Sequence, residues 1–157
     1  MTNNDILRRI RFTFDYNDDK MMALFASGGQ EVTRAELSDW LKKDDDPEFK
    51  GIYDKQLATF LNGFINEKRG KKEGPQPIPE KSLNNNIIFR KLKIALNLTD
   101  EDIIAILDLA DLKASKHEIS ALFRNPSHKH YRLCKDQFLR NFLHGMQVKY
   151  HNPKKND

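Results

Sequence analysis

Histidine and cysteine side chains gather in one stretch of the sequence, and they are residue types that often hold a metal ion. His128, His130 and Cys134 lie close together, and His144 follows further along the chain. Imidazole and thiolate ligands of this kind suit zinc. Their spacing, however, is not a standard ligand pattern. We therefore predict no metal site and no bound cofactor.

Serine, cysteine and carboxylate side chains give little indication of an enzyme. Ser38 and Ser120 each follow a glutamate near the start of a short predicted helix, where serine is commonly structural. The sequence contains neither a phosphate-binding glycine loop nor a G-x-S-x-G turn. Cys134 has Ile52 at the equivalent position of the repeat described below, which favours a packing role. We expect no catalytic residue and a protein that is not an enzyme.

Basic side chains are the third candidate chemistry, because Lys and Arg bind the phosphates of nucleic acids. Residues 1–75 contain 13 Lys and Arg against 14 Asp and Glu, whereas residues 76–157 contain 14 against 9. The second half is therefore distinctly basic. We predict that DNA or RNA contacts this half and the basic faces of two predicted helices. The predicted contacts are Lys129, Arg132, Lys135, Arg140, Arg8, Arg9, Arg90 and Lys91.

The alternative hypothesis is association with another protein or with a second copy of the chain. The run Asp44, Asp45 and Asp46 occupies the place in the first half that Pro126–His128 occupies in the second. Loops of opposite charge attract each other, either within one chain or head to tail between two. Phe12 and Ile94 are further candidate interface residues, since each lies among basic residues on a predicted helix. A solvated face with no partner is the third interpretation.

An internal duplication must position all of these side chains. When the sequence is shifted by 82 residues against itself, residues 4–63 align with 86–145 without a gap, and 12 pairs are identical. That is 20% identity, against roughly 6% for unrelated sequences of ordinary composition. The chain therefore contains two copies of one unit. We place them at 1–69 and 85–151, with a Pro-rich linker at 70–84 and a flexible tail at 152–157.

Helical periodicity runs through both copies. Leu57, Phe60, Leu61 and Phe64 recur at the spacing of one helix face, and the second copy repeats the pattern. Thr33 with Glu36, and Ser115 with Glu118, have the spacing of a helix capping box.

Asn4 and Asn86 are predicted to cap the first helix of each copy. The sequence thus predicts an all-α tandem duplication of a roughly 65-residue four-helix unit. Copies this small are expected to bury an apolar face against each other with pseudo-twofold symmetry.

Two motifs are shared by the copies and resemble a known family. The first pattern, acidic–x–(Leu/Ile)–Ser–x–(Trp/Leu)–(Leu/Phe)–basic, spans Glu36–Lys42 and Glu118–Arg124. The second, aromatic–basic–x3–Asp–x2–Leu–x2–Phe–Leu–x–Gly, spans Phe49–Gly63 and Tyr131–Gly145. Together they resemble the bacterial YehS-like family, in which a domain of unknown function occurs twice per chain. The resemblance implies a duplicated fold and a bacterial cytoplasmic setting. It names no chemistry and transfers no site residue.

Composition agrees with that setting. The 157 residues are 38% hydrophobic and 32% charged, with a net charge of +4, which is ordinary for a globular protein. No apolar run approaches the roughly 18 residues of a membrane-spanning helix. The sequence contains a single cysteine, so no internal disulfide can form. We therefore predict a cytoplasmic protein without a membrane partner.

Overall fold

Eight α-helices form from residues 1–152, the part of the chain that the computed structural model describes, and this part contains no strand. The helices are α1 (Asn3–Phe14), α2 (Asp18–Gly28), α3 (Arg34–Leu41), α4 (Asp54–Arg69), α5 (Asn85–Ala95), α6 (Asp100–Leu109), α7 (Lys116–Leu122) and α8 (Asp136–Tyr150). Helices α1–α4 form the first copy and α5–α8 the second. The predicted all-α tandem fold is confirmed. Of the predicted tail, residues 153–157 lie outside the described part.

The third helix of each copy begins at the predicted capping box. The Thr33 hydroxyl accepts a hydrogen bond from the Glu36 backbone N–H at 3.1 Å, and the Glu36 carboxylate accepts one from the Thr33 N–H at 3.0 Å. Ser115 and Glu118 make the same two bonds at 3.1 and 3.0 Å. Two of the free N–H groups at each helix start are thereby satisfied.

The predicted role of Asn4 and Asn86 as helix caps is wrong, since the caps are Thr2 and Asn84. Asn4 is instead buried, and its amide holds the loop that precedes α4. The Asn4 Nδ2 donates to two backbone carbonyls, those of Trp40 and Lys50, each at 2.9 Å. Its Oδ1 accepts from the Ile52 N–H at 3.0 Å.

Asn86 makes the same three bonds in the second copy. Its Nδ2 donates to the carbonyls of Leu122 and Arg132 at 3.0 and 2.8 Å, and its Oδ1 accepts from the Cys134 N–H at 2.8 Å. Each of these partners lies 82 residues after its counterpart in the first copy. The duplication therefore preserves individual hydrogen bonds.

Two mid-helix glycines let the helices within each copy approach closely. A Cβ on Gly63 of α4 would lie 1.8 Å from the Leu24 carbonyl oxygen of α2, and a Cβ on Gly145 of α8 would lie 2.0 Å from the Ile106 oxygen of α6. No side chain can fit at either position unless the backbones separate. These contacts fix α4 on α2 and α8 on α6.

The first helix of each copy packs against the last helix of the other copy. Helix α1 packs mainly on α8, and α5 packs on α4, so one hydrophobic core extends through both copies. Individual polar contacts between the copies also occur in equivalent pairs. The Met1 amino group lies 3.1 Å from Asp136 of the second copy, and the Leu83 N–H donates to Asp54 of the first at 2.8 Å. The predicted pseudo-twofold packing is thus present.

The chain between α4 and α5 contains no helix, and it crosses the surface formed by those two helices. Its prolines, Pro75, Pro77 and Pro79, disfavour helix. Glu80 at its far end forms an ion pair with Lys91 of α5, at 2.9 Å. None of the described helices is both long enough and apolar enough to cross a membrane.

Candidate functional site

An open groove between α1 and α8 brings together basic residues of both copies, and we call it the basic groove. It has a volume of about 410 Å³. The residues that matter for its chemistry are Asp5, Arg8, Arg9, Phe12, Arg140 and His144. Three arginines therefore face one carboxylate.

The three arginines differ in how much of their bonding capacity the protein already uses. Arg8 donates to the Lys42 carbonyl at 2.6 Å and also bonds to the carboxylates of Asp5 and Asp44. Arg140 is exposed and donates to a glutamine oxygen one turn earlier in α8. Arg9 makes no hydrogen bond or ion pair to any described residue. Arg9 and Arg140 are consequently the cations most available to a ligand.

An exposed aromatic ring forms part of the same groove. Phe12 is 51% exposed, an unusual position for so large an apolar side chain. Its ring stacks on the His151 ring beyond the end of α8, with centroids 4.2 Å apart and planes 19° apart. The His151 Nδ1 also lies 2.9 Å from the Phe12 carbonyl oxygen. Two rings are thus stacked in advance beside the arginines.

Two carboxylates have lowered pKa values, that of Asp5 in the groove and that of Asp136, which does not line it. Partial burial raises the pKa of Asp5, but hydrogen bonds from Thr2 and Arg8 outweigh it and leave the pKa below its ordinary value. A hydrogen bond from Asn85 and the Met1 amino group hold the pKa of Asp136 below its ordinary value. The Asp5 carboxylate therefore stays charged to a lower pH than an ordinary aspartate and partly offsets the positive charge of the arginines in the groove.

Other predicted nucleic-acid contacts lie elsewhere. Lys129, Arg132 and Lys135 are exposed in the segment that leads from α7 into α8, and none of them lines the basic groove. The Arg132 guanidinium bonds to the neighbouring Tyr131 carbonyl at 3.0 Å. These residues form a separate basic segment of the second copy.

Arg90 and Lys91 do not extend the basic groove, although they are the sequence equivalents of Arg8 and Arg9. They line a second cavity, between α4, α5 and the linker, which we call the linker cavity. Lys91 is only 9% exposed, and its ammonium is paired with Glu80. Lys91, predicted as a nucleic-acid contact, is therefore buried, and its ammonium is paired with a carboxylate of the same chain.

The acidic loop bonds to its own copy. Asp44 lies 3.4 Å from Arg8, and Asp46 accepts a hydrogen bond from the Glu48 N–H at 2.8 Å. Asp45 is exposed. Within residues 1–152, no ion pair joins this loop to 126–128 of the second copy, so an attraction between the two loops inside one chain is not observed.

The histidine and cysteine side chains do not converge. The rings of His128 and His130 lie 5.5 Å apart, but Cys134 is buried. Burial, together with the nearby Asp136 charge, raises the pKa of the Cys134 thiol to about 12. Among the described residues, no three His, Cys, Asp or Glu side chains are grouped so that they could hold a metal ion.

Comparison with known protein families gives a match to each of the two copies. The model of the family described as "Protein of unknown function (DUF1456)" matches twice, at residues 3–70 and 85–151. The chain belongs to this family. The DUF1456 matches coincide with α1–α4 and α5–α8. "Uncharacterized protein YehS" of Escherichia coli (strain K12) is 43% identical over 152 residues, which cover 96% of this chain and 97% of that relative. No solved structure matches.

Several residues of the two cavities were not predicted from the sequence as site residues. His151 follows the last helix and carries no motif, and Glu80 lies in a linker whose path no periodicity reveals. Asn62 of the linker cavity is the equivalent of His144 in the basic groove. The alignment of the two copies pairs these two positions, and that pairing is the one signal that the sequence offers for the two cavities.

Proposed function

We propose that this protein is a non-enzymatic module that binds single-stranded nucleic acid in the basic groove. The observation that carries the proposal is the placement of Arg9, Arg140 and the exposed Phe12 ring in one groove. Proteins that bind single strands combine a cationic groove, which follows the phosphates, with aromatic rings on which bases stack. The basic segment at Lys129, Arg132 and Lys135 extends the positive field along the second copy.

Some groove residues are proposed to contact the phosphates of the nucleic acid, and one is proposed to contact a base. Arg9 and Arg140 neutralise phosphates, with Arg8 as a weaker contact because it already bonds to two carboxylates. The Phe12 ring, held by His151 on one face, offers its free face to a base. Contacts of this kind carry little sequence information, so binding is expected to be tolerant of sequence.

Fluorescence anisotropy with labelled single-stranded DNA and RNA tests the proposal. Each phosphate contact contributes about −0.7 to the slope of log affinity against log salt concentration. Arg9→Gln and Arg140→Gln should each make the slope shallower by about 0.7. Arg34→Gln is the matched control, because Arg34 is an exposed arginine on α3 outside the groove, and it should leave the slope unchanged.

Stacking is tested separately from charge. Phe12→Ala should weaken binding by about 1–3 kcal/mol per stacked base, whereas Phe12→Trp should retain it. Ile94→Ala, at the equivalent position of the other copy, is the control and should have no effect. Absence of any anisotropy change at low salt with every oligonucleotide would refute the proposal, and so would equal losses from Arg9→Gln and Arg34→Gln.

A second candidate function is binding of a protein segment in the same groove. The linker favours this function. Helices α4 and α5 are the equivalents of α8 and α1, and the extended, proline-containing linker lies across them and places Glu80 beside Lys91. An acidic segment of another protein, or the Asp44–Asp46 loop of a second copy, would match the charge of the basic groove. Sedimentation at several protein and salt concentrations detects the second case, and a monomer at every condition rejects it.

We further propose a cytoplasmic location. The supporting observation is that the single cysteine, Cys134, is a buried free thiol, as expected where no disulfide is needed for stability. Fractionation of cells that produce the protein is the test, and recovery in a secreted or membrane fraction would contradict the assignment.

A further inference from the structure

The linker cavity has the size and enclosure of a small-molecule site. Its volume is about 560 Å³, within the range of roughly 300–1,000 Å³ that small-molecule pockets occupy. Helices α4 and α5 form two walls and the linker forms the third. The walls are mostly apolar, and their apolar members are Ile65, Ile87, Ile94, Pro75 and Pro77.

Two polar side chains of the cavity, Lys91 and Asn62, are buried, and both carry hydrogen-bond donors. The Lys91 ammonium bonds to the Asn62 Oδ1 at 2.6 Å and lies 2.9 Å from a Glu80 oxygen. The Glu80 Oε1 atom makes no hydrogen bond to any described residue, so its contact with Lys91 is an ion pair only. An ammonium has three N–H groups, so at least one remains unused. Asn62 is 6% exposed, and its Nδ2 amide has no acceptor. A buried donor without a partner is costly, and an acceptor brought by a ligand would relieve that cost.

The charges around the cavity select an anion. Arg69, Arg90, Lys72 and Lys91 line it, against the single carboxylate of Glu80. Four cations around a cavity that also presents apolar side chains match a molecule with a charged head and an apolar body.

We propose that the linker cavity binds a small organic carboxylate with an apolar body. Its carboxylate replaces that of Glu80 at Lys91 and accepts from the Asn62 amide, while its body lies against the isoleucines of α4 and α5. Glu80 therefore acts as an internal substitute for the ligand, and the linker that carries it is the segment that moves when the ligand enters. This site is separate from the basic groove and does not depend on nucleic-acid binding.

Titration of the ¹⁵N-labelled protein with octanoate, followed by NMR, tests the site. Octanoate joins a carboxylate to an alkyl chain, and octanamide is the uncharged comparison. Octanoate should shift the Asn62 side-chain amide and the backbone amides of Ile87 and Ile94 in a saturable manner. Octanamide should bind roughly 10-fold more weakly, as expected for loss of a charged hydrogen bond. Inorganic phosphate alone should bind weakly, because it lacks the apolar body.

Two variants separate the ligand role from a structural role. Glu80→Gln removes the internal competitor and should tighten octanoate binding roughly 10-fold, while Asn62→Leu should weaken it by a similar factor. His144→Leu, the equivalent change in the basic groove, is the matched control and should leave octanoate binding unchanged. Glu80→Gln lies outside the helices, so it keeps the test valid even if Asn62→Leu does not fold. The proposal is overturned if octanoate shifts no residue of α4 or α5, if octanamide binds equally well, or if Glu80→Gln does not tighten binding.

Discussion

Substituting Gly145 by alanine tests the close approach of α8 to α6. The new Cβ would lie 2.0 Å from the Ile106 carbonyl oxygen, whereas ordinary contact begins near 3.4 Å. The shortfall, 3.4 minus 2.0, is about 1.4 Å. Because the obstacle is backbone, no change of rotamer can relieve it, and the two helices must separate.

The magnitude follows from two opposing contributions. Overpacking in a tight core costs about 1–3 kcal/mol, and a backbone obstacle places Gly145→Ala at the upper end. Replacing glycine by alanine inside a helix gains about 1 kcal/mol. The expected net loss in the free energy of unfolding is therefore about 2 kcal/mol. For a chain of this size the melting temperature should fall by about 4–8 °C.

Thermal and urea unfolding followed by circular dichroism measure this loss. Gly51→Ala is the matched control, because Gly51 is exposed and no atom lies within 4 Å of its added Cβ. It should change stability by less than about 0.5 kcal/mol. If the helices were not in close contact, Gly145→Ala would stabilise the protein through helix propensity alone. A variant at least as stable as the unaltered protein would therefore refute the packing described here.

Asn86→Ala should lower the free energy of unfolding by at least about 3 kcal/mol, since it leaves two carbonyls and one N–H unpaired at a buried site, each costing about 1–3 kcal/mol; Asn4→Ala should match it, and an unchanged urea midpoint would contradict this. The Cys134 thiol should react with thiol reagents only slowly below its raised pKa of about 12, and unfolding in urea should accelerate the reaction. The ordinary pKa of a cysteine thiol is 9.0, and the pKa of Cys134 in the folded protein is higher. The contribution of this thiol to the free energy of unfolding is therefore complete below pH 9 and is lost as the pH rises towards 12. Cys134→Ala should remove that part of the pH dependence, which unfolding curves across this pH window would detect.

Local signals in the sequence were sufficient for the helices. Thr33 with Glu36 specifies a helix start within four residues, and the spacing of Leu57 and Phe60 specifies a face. Asn4 shows the limit of such signals. It lies near a helix start, where asparagine commonly caps, but Thr2 already provides the cap, and the buried carbonyls that Asn4 satisfies belong to residues far along the chain.

The candidate sites required tertiary structure. Arg9 and Arg140 are 131 positions apart, and they meet only because α1 packs on the other copy. Arg9 and Lys91 occupy equivalent positions, yet one is available to a ligand and the other is buried beneath the linker. The difference arises from the path of residues 70–84, which cover Lys91. Within residues 1–152 no comparable extended segment covers Arg9.

The reciprocal packing of α1 on α8 and of α5 on α4 is the geometry of an isologous homodimer, here made within a single polypeptide. In a true homodimer every substitution appears at both symmetry-related sites at once. Joining the two subunits removes that constraint, so each side of the axis accumulates its own residues. One side keeps Arg9 and His144 in an open groove, and the other has Lys91 and Asn62 beneath a linker. The protein thus carries two unequal cavities at equivalent positions, and a ligand that fits the first need not resemble a ligand that fits the second.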